Sequence, residues 1–104
     1  MANYSGSDLS QEFKDFFQKE KSRISKILKA KKCTQIKMSY GFYYFSGFFT
    51  APSGQVYYFS SSDVRYYIHS RLLIRTAKDY KDYIGGINQY CNIDYKSLMD
   101  FKLV

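Results

Sequence analysis

Apolar residues recur at three- and four-residue intervals along the first third of the chain. Leu9, Phe13, Phe16, Phe17, Ile24, Ile27 and Leu28 share one helical face. That spacing predicts an amphipathic helix over residues 8–31. Asp8 is placed to cap its start, with Gln11 three residues on in the capping-box position. Glu20 interrupts the stripe between Phe17 and Ile24. A carboxylate on an apolar face needs a partner; Arg71, Arg75 or a tyrosine hydroxyl are the candidates.

The period then shortens. Thr34 to Ser39 alternates polar and apolar residues around Ile36 and Met38, as a strand does. Tyr40 to Thr50 is dense in aromatics and reads as a strand bent at Gly41 and Gly47. Ala51-Pro52-Ser53-Gly54 is a turn, and Gln55 to Ser60 is the return strand, so residues 42–60 are expected to form a β-hairpin. Ser61-Ser62-Asp63 is expected to open a short helix through about His69. Leu72 to Thr76 is a compact strand. Lys78 to Ile84 suits two helical turns, closed by Gly85-Gly86 in the left-handed region. Gln89 to Ile93 is a further strand, and Asp94 caps a last short helix over Tyr95 to Phe101. The expected fold is a single α+β domain over residues 1–104, with 1–7 a flexible lead-in. A long N-terminal helix packs on a small, mostly antiparallel sheet, followed by short C-terminal helices.

Side chains on a strand point alternately to its two faces. If residues 40–50 are one strand, Tyr40, Phe42, Tyr44 and Phe48 point one way, and Tyr43, Phe45 and Phe49 the other. One helix covers one face. The second face must be covered by C-terminal segments, buried in a homodimer, or left exposed to bind something.

Composition narrows the class. The chain has 104 residues, 45% hydrophobic and 20% aromatic, which suits one folded domain and excludes a disordered one. No apolar run approaches the ~20 residues of a membrane span. Met1 to Gln11 is polar, without the apolar stretch of a signal peptide. A cytoplasmic protein with no membrane partner is expected. Cys33 and Cys91 are far apart, with His69 the only histidine; they read as buried thiols rather than metal ligands. No phosphate loop or dinucleotide motif calls for a cofactor. Asp79 and Asp82 read as solvated surface.

The surplus of aromatic surface is the main functional clue, and charge adds to it. The formal net charge is +7, and half of the 16 Lys and Arg residues fall within residues 19–37. Lys19, Arg23 and Lys26 lie on the helix flank away from its apolar stripe. Lys29, Lys31, Lys32 and Lys37 follow at its end and in the next connection. Together they suit a phosphate backbone, although cations at a helix C-terminus also complement its dipole. Arg65 and Arg75, with Tyr43 and Tyr57, complete the residues expected to contact nucleic acid or a partner.

The segment Tyr40-Gly41-Phe42-Tyr43-Tyr44-Phe45 is similar to part of the RNA-recognition-motif signature, a Gly followed by alternating aromatics. Tyr40 stands where that signature has Lys or Arg, Tyr43 replaces a small residue, and a helix replaces the upstream βαβ unit. Membership is therefore rejected, and only the physical analogy is kept: rings stack on bases while cations meet phosphates. Gly41-Phe42-Tyr43 and Tyr83-Ile84-Gly85 resemble the two halves of the GIY-YIG nuclease signature, but they lie too far apart and no Glu follows them. Nothing in the spacing joins His69 to a cysteine as a nucleophile pair. The expected function is that of a small, basic, non-catalytic binding protein on nucleic acid or a nucleic-acid–protein complex. The alternative is a protein-binding inhibitor or adaptor of the phage or mobile-element type, like anti-CRISPR or anti-restriction proteins, acting on an acidic protein surface.

Overall fold

In the computed structural model, which describes residues 10–65, 71–92 and 94–104, helix α1 spans Gln11–Ala30. Its cap is Ser10, whose hydroxyl accepts the Phe13 backbone N–H at 3.1 Å. Asp8 and the 1–7 lead-in lie outside the described residues, and Gln11 instead donates to Asp15. Phe13, Phe17, Ile24, Ile27 and Leu28 are buried as their spacing predicts. The helix stops at Lys31. Lys32 takes a left-handed φ of 68°, and the Cys33 N–H bonds back to the Leu28 carbonyl, a pattern that glycine usually supplies.

Five strands follow: β1 (Thr34–Tyr40), β2 (Phe45–Thr50), β3 (Val56–Ser61), β4 (Arg71–Ala77) and β5 (Gln89–Asn92). Helix α2 (Tyr95–Asp100) comes last, capped by Asp94 as expected. The strands form one antiparallel sheet in sequential order, β1-β2-β3-β4-β5. The β2–β3 hairpin turns at Ala51 to Gln55, with Gly54 at φ 94°, a conformation that favours glycine. The fold is α+β.

Three expectations are corrected. Residues 40–50 are not one strand. The chain breaks at 41–44, where the Gly41 N–H meets the Tyr44 carbonyl and Tyr43 sits at φ 60°. This tight loop lets β1 and β2 pair, so the simple alternation of seven aromatics does not hold. Residues 78–88 form turns rather than two helical turns. Carboxylates of Asp79 and Asp82 take up backbone N–H groups there, the competition that keeps Asp out of helix interiors. Gly85 does adopt the expected left-handed φ, 58°. Of the helix expected to start at Ser61, Ser61 belongs to β3 and Asp63 closes a turn onto the Arg65 N–H; residues 66–70 lie outside the described residues.

The core lies between the sheet and the two helices. Phe17, Ile24, Ile27 and Leu28 of α1 and Leu98 of α2 join Phe45, Phe49, Tyr57, Phe59, Leu72 and Ile74 in one cluster. A smaller cluster of Phe13, Tyr43 and Val64 sits under the start of α1. The last residues close over the first cluster. The Lys31 ammonium donates to the Met99 and Phe101 carbonyls, both at 2.7 Å, and the Val104 N–H donates to the Tyr57 hydroxyl at 2.8 Å. Charged donors make the stronger hydrogen bonds. Lys31→Met keeps the alkyl stem and removes both, so it should cost about 2 kcal/mol in urea unfolding; unaltered stability would show that the tail is not latched in this way.

Candidate functional site

The face of the sheet turned away from the helices gathers the strand cations. In β4, Leu72 and Ile74 are buried in the core, so Arg71, Leu73 and Arg75 point outward. Register carries this face across the sheet: Lys37 pairs with Phe48, Phe48 with Tyr58, and Tyr58 with Arg75. The next rung runs Ser39, Ser46, Ser60, Leu73, Tyr90. None of the five strands holds an Asp or Glu.

Each of the three strand cations lies over an aromatic ring. Lys37 Nζ is 5.6 Å from the Tyr80 centroid. The guanidinium carbons of Arg75 and Arg71 lie 4.4 Å from Tyr58 and 4.9 Å from Tyr90. These are cation–π distances. The 78–88 segment brings Tyr80 and Tyr83 onto this face. Both rings are 5.4 Å from Phe48, and Tyr83 is 5.7 Å from Tyr58. Tyr80 is held further by a 2.7 Å hydrogen bond with the Thr50 hydroxyl. Arg75 donates to the Tyr83 carbonyl and, at 3.4 Å, to Asn88. An open hollow of about 390 Å³ lies here among Lys37, Ser39, Ser46, Phe48, Tyr80, Lys81 and Tyr83. Two rings remain largely open to solvent, Tyr83 at 63% and Tyr90 at 52% exposure.

The residues singled out from the sequence divide into three groups. Lys37 and Arg75 belong to this face. Lys19, Arg23 and Lys26 lie with Ser22, Ile27 and Ala30 along a groove on the flank of α1, on the opposite side of the sheet. Lys29 and Lys32 are exposed near the end of that helix. The basic stretch is therefore not one continuous track, because β1 turns Lys37 to the far face. The third group, with which Arg23 of the helix flank is shared, has structural duties. Arg23 forms a two-pronged ion pair with Glu20 at 2.9 and 3.0 Å, which resolves the carboxylate on the apolar stripe without Arg71, Arg75 or a tyrosine. Lys31 latches the tail. Arg65 chelates Asp63 at 2.7 and 3.0 Å and lies 4.8 and 4.6 Å from the Phe42 and Tyr43 rings.

Tyr43 and Tyr57, expected as exposed contacts, are buried at 0% and 1% exposure. Tyr43 accepts the Ser10 N–H and packs on Phe13; Tyr57 stacks on Phe49, 5.3 Å away at 10°. Their hydroxyls are satisfied inside the fold, which is what permits a buried tyrosine. Sequence reasoning passed over Phe48, Tyr58, Tyr80, Tyr83, Tyr90 and Lys81 as site residues. The alternation Arg71-Leu72-Leu73-Ile74-Arg75 was the one local signal for this face.

Cys91 is half-buried, and desolvation, aided by Asp94, pushes its thiol up to about 11; burial also raises that of Cys33. Neither thiol is activated as a nucleophile. Among the described residues, no group of three His, Cys, Asp or Glu side chains is placed to hold a metal ion, and no helix is long and apolar enough to cross a membrane.

Among the described residues, three carboxylates have pKa values held below the usual 3.8. Asp63 is lowered chiefly by the Arg65 side-chain hydrogen bond. Asp82 is lowered by backbone N–H groups, that of Lys78 first, and Asp94 by the Ser97 backbone and hydroxyl. A carboxyl with a depressed folded pKa contributes stability that is complete above its unfolded value and lost as pH falls through the folded value. The melting temperature should therefore decline below pH 3.8, and Asp82→Asn should show a smaller decline than the parent protein. Equal declines would mean that Asp82 does not pin the 78–88 segment beside the aromatic face.

No family model, curated protein or solved structure matches the chain.

Proposed function

We propose that the protein is a non-catalytic nucleic-acid-binding domain that uses the outer face of its sheet. The observation that carries this reading is the coincidence on one face of all three strand cations, each over an aromatic ring, with no acid in any strand. Rings offer base-stacking surfaces and cations neutralise phosphates. The net charge of +7 adds long-range attraction to a polyanion. The helix flank is the weaker candidate. Arg23 is held by Glu20, and Lys29 in the last turn complements the helix dipole, as Glu12 does in the first.

Anisotropy titrations with labelled DNA and RNA at two salt concentrations test the reading. Affinity should fall steeply with salt, with a log–log slope of about −0.7 to −0.9 per contacted phosphate. Lys37→Glu with Arg71→Glu should weaken binding and flatten the slope, whereas Lys19→Glu with Lys26→Glu should change it little. The reverse pattern would move the interface to the helix. Absence of binding at low salt would remove the nucleic-acid reading.

One observation favours a second reading, that of an inhibitor or adaptor acting on an acidic protein surface. Ile84 and Ile87 are 87% and 86% exposed on either side of Gly85-Gly86, beside the basic face. Exposed apolar residues rimmed by polar ones mark protein contacts. Loss of partner capture in Ile84→Ser with Ile87→Ser, together with no oligonucleotide binding, is the result that would select it.

A further inference from the structure

Resting on the nucleic-acid reading, we infer that the ligand is a single strand lying across the strands of the sheet, with unpaired bases stacked on Tyr83 and Tyr90. A duplex hides the faces of its bases within its own stack and presents phosphates and groove edges. Cations alone serve it; exposed rings do not. A single strand offers base faces, and every base has one. This sheet presents both kinds of group, interleaved in a definite order.

Across the face from β1 to β5 the order is Lys37, then Tyr80 with Phe48, then Tyr83 over Phe48 and Tyr58, then Arg75, and finally Tyr90 with Arg71 beside it. Five strands at ~4.8 Å spacing make this track about 19 Å long. Tyr83 stands over β2 and β3 while Tyr90 is on β5 and one rung along, so about two and a half strand spacings, ~12 Å, separate the exposed rings across the strands, with a further offset of ~7 Å along them. Arg75 rises from β4 between them and lays its guanidinium over Tyr58, beside Tyr83, where it also holds the Tyr83 carbonyl and Asn88. Exposed rings with cations beside them suit a strand whose bases stack while its phosphates are neutralised.

The interior rings have a different task. Phe48 is buried, and Tyr58 is half-buried beneath Arg75 and Tyr83, so these two form the floor on which Tyr83 stands. Tyr83 meets both edge-to-face, at 72° and 76°, an arrangement that aromatic pairs favour. The serine rung, Ser39, Ser46 and Ser60, which runs on through Leu73 to Tyr90, adds hydroxyls that suit phosphate or sugar oxygens and carry no sequence preference.

The test compares a labelled single strand of roughly 10 nucleotides, within the usual site sizes, with a duplex of the same sequence at one salt concentration. The single strand should bind at least about tenfold more tightly. Tyr83→Ala and Tyr90→Ala should each weaken it by roughly 5- to 150-fold, the loss expected for one stacked base. Tyr83→Phe and Tyr90→Phe should retain affinity, since stacking needs the ring and not the hydroxyl. Both tyrosines are exposed, and matching circular dichroism spectra would show that the alanine variants fold. Equal or tighter duplex binding overturns the single-strand assignment and leaves the nucleic-acid reading standing; so does alanine substitution without effect on single-strand affinity. Failure of both oligonucleotides to bind at low salt removes both.

Discussion

Phe17→Ala should destabilise the protein by about 3–5 kcal/mol, the usual cost of emptying a buried Phe site. That is a large share of the ~5–15 kcal/mol that holds a small domain folded. Phe17 is buried at the middle of the contact between α1 and the sheet, 5.0 Å from the Tyr40 ring and 6.2 Å from Phe45. The surroundings are poorly able to collapse into the void, because Tyr40 and Phe45 are a register pair at the end of the β1–β2 ladder. The cost therefore combines lost burial with a retained cavity. Urea unfolding measures it, and a midpoint unchanged from the parent would take Phe17 out of the core.

Gly47→Ala should cost about 3 kcal/mol, at the upper end of overpacking penalties. The reason is steric rather than conformational. A Cβ at Gly47 would lie 2.1 Å from the Lys37 carbonyl oxygen and 2.8 Å from the Phe59 ring. The ring is held in the core, and the carbonyl belongs to the neighbouring strand, so neither can retreat cheaply. Relief requires β1 to move away from β2. That displaces Lys37, the cation at the β1 end of the outer face, so the variant should lose oligonucleotide affinity as well as stability. A Gly47→Ala protein as stable as the parent would contradict the close approach of β1 and β2. Weakened binding without lost stability would instead separate Lys37's role from the packing beneath it.

The contrast between these two positions reflects what was legible in the sequence. Phe17 belongs to a repeat that any helical wheel exposes. Gly47 was readable as a bend within an aromatic strand, but its neighbours, Lys37 and Phe59, are set by the register of two separate strand pairs. The outer face behaves in the same way. Leu72 to Thr76 was visible as a compact strand, but its pairing, which turns Arg71 and Arg75 to the outer face, was not. Tyr80 and Tyr83 were assigned to helical turns, and nothing local announced that Asp79 and Asp82 would hold that segment in turns and lay its rings on Phe48. Tyr43 and Tyr57 were read as exposed because a tyrosine in a strand suits either face. The partners that bury their hydroxyls, Ser10 N–H and Val104 N–H, lie far along the chain.

The amino-acid sequence by itself determined the features whose causes are local. These are the helix stripe from Phe13 to Leu28, the turn at Pro52 to Gly54, the strand at Leu72 to Thr76, the left-handed glycine at 85 and the Asp94 cap. Each depends on residues within a few positions of one another, where backbone geometry and side-chain spacing settle the outcome. Only the tertiary structure decided the break at 41–44, the divided basic stretch, the duties of Lys31 and Arg65, and the meeting of Lys37, Phe48, Tyr58, Arg75 and Tyr83 on one face. Those depend on strand register. A shift of one residue turns every side chain of a strand to the other face, so the register must satisfy all five strands and the helical layer at once before any of these contacts exists.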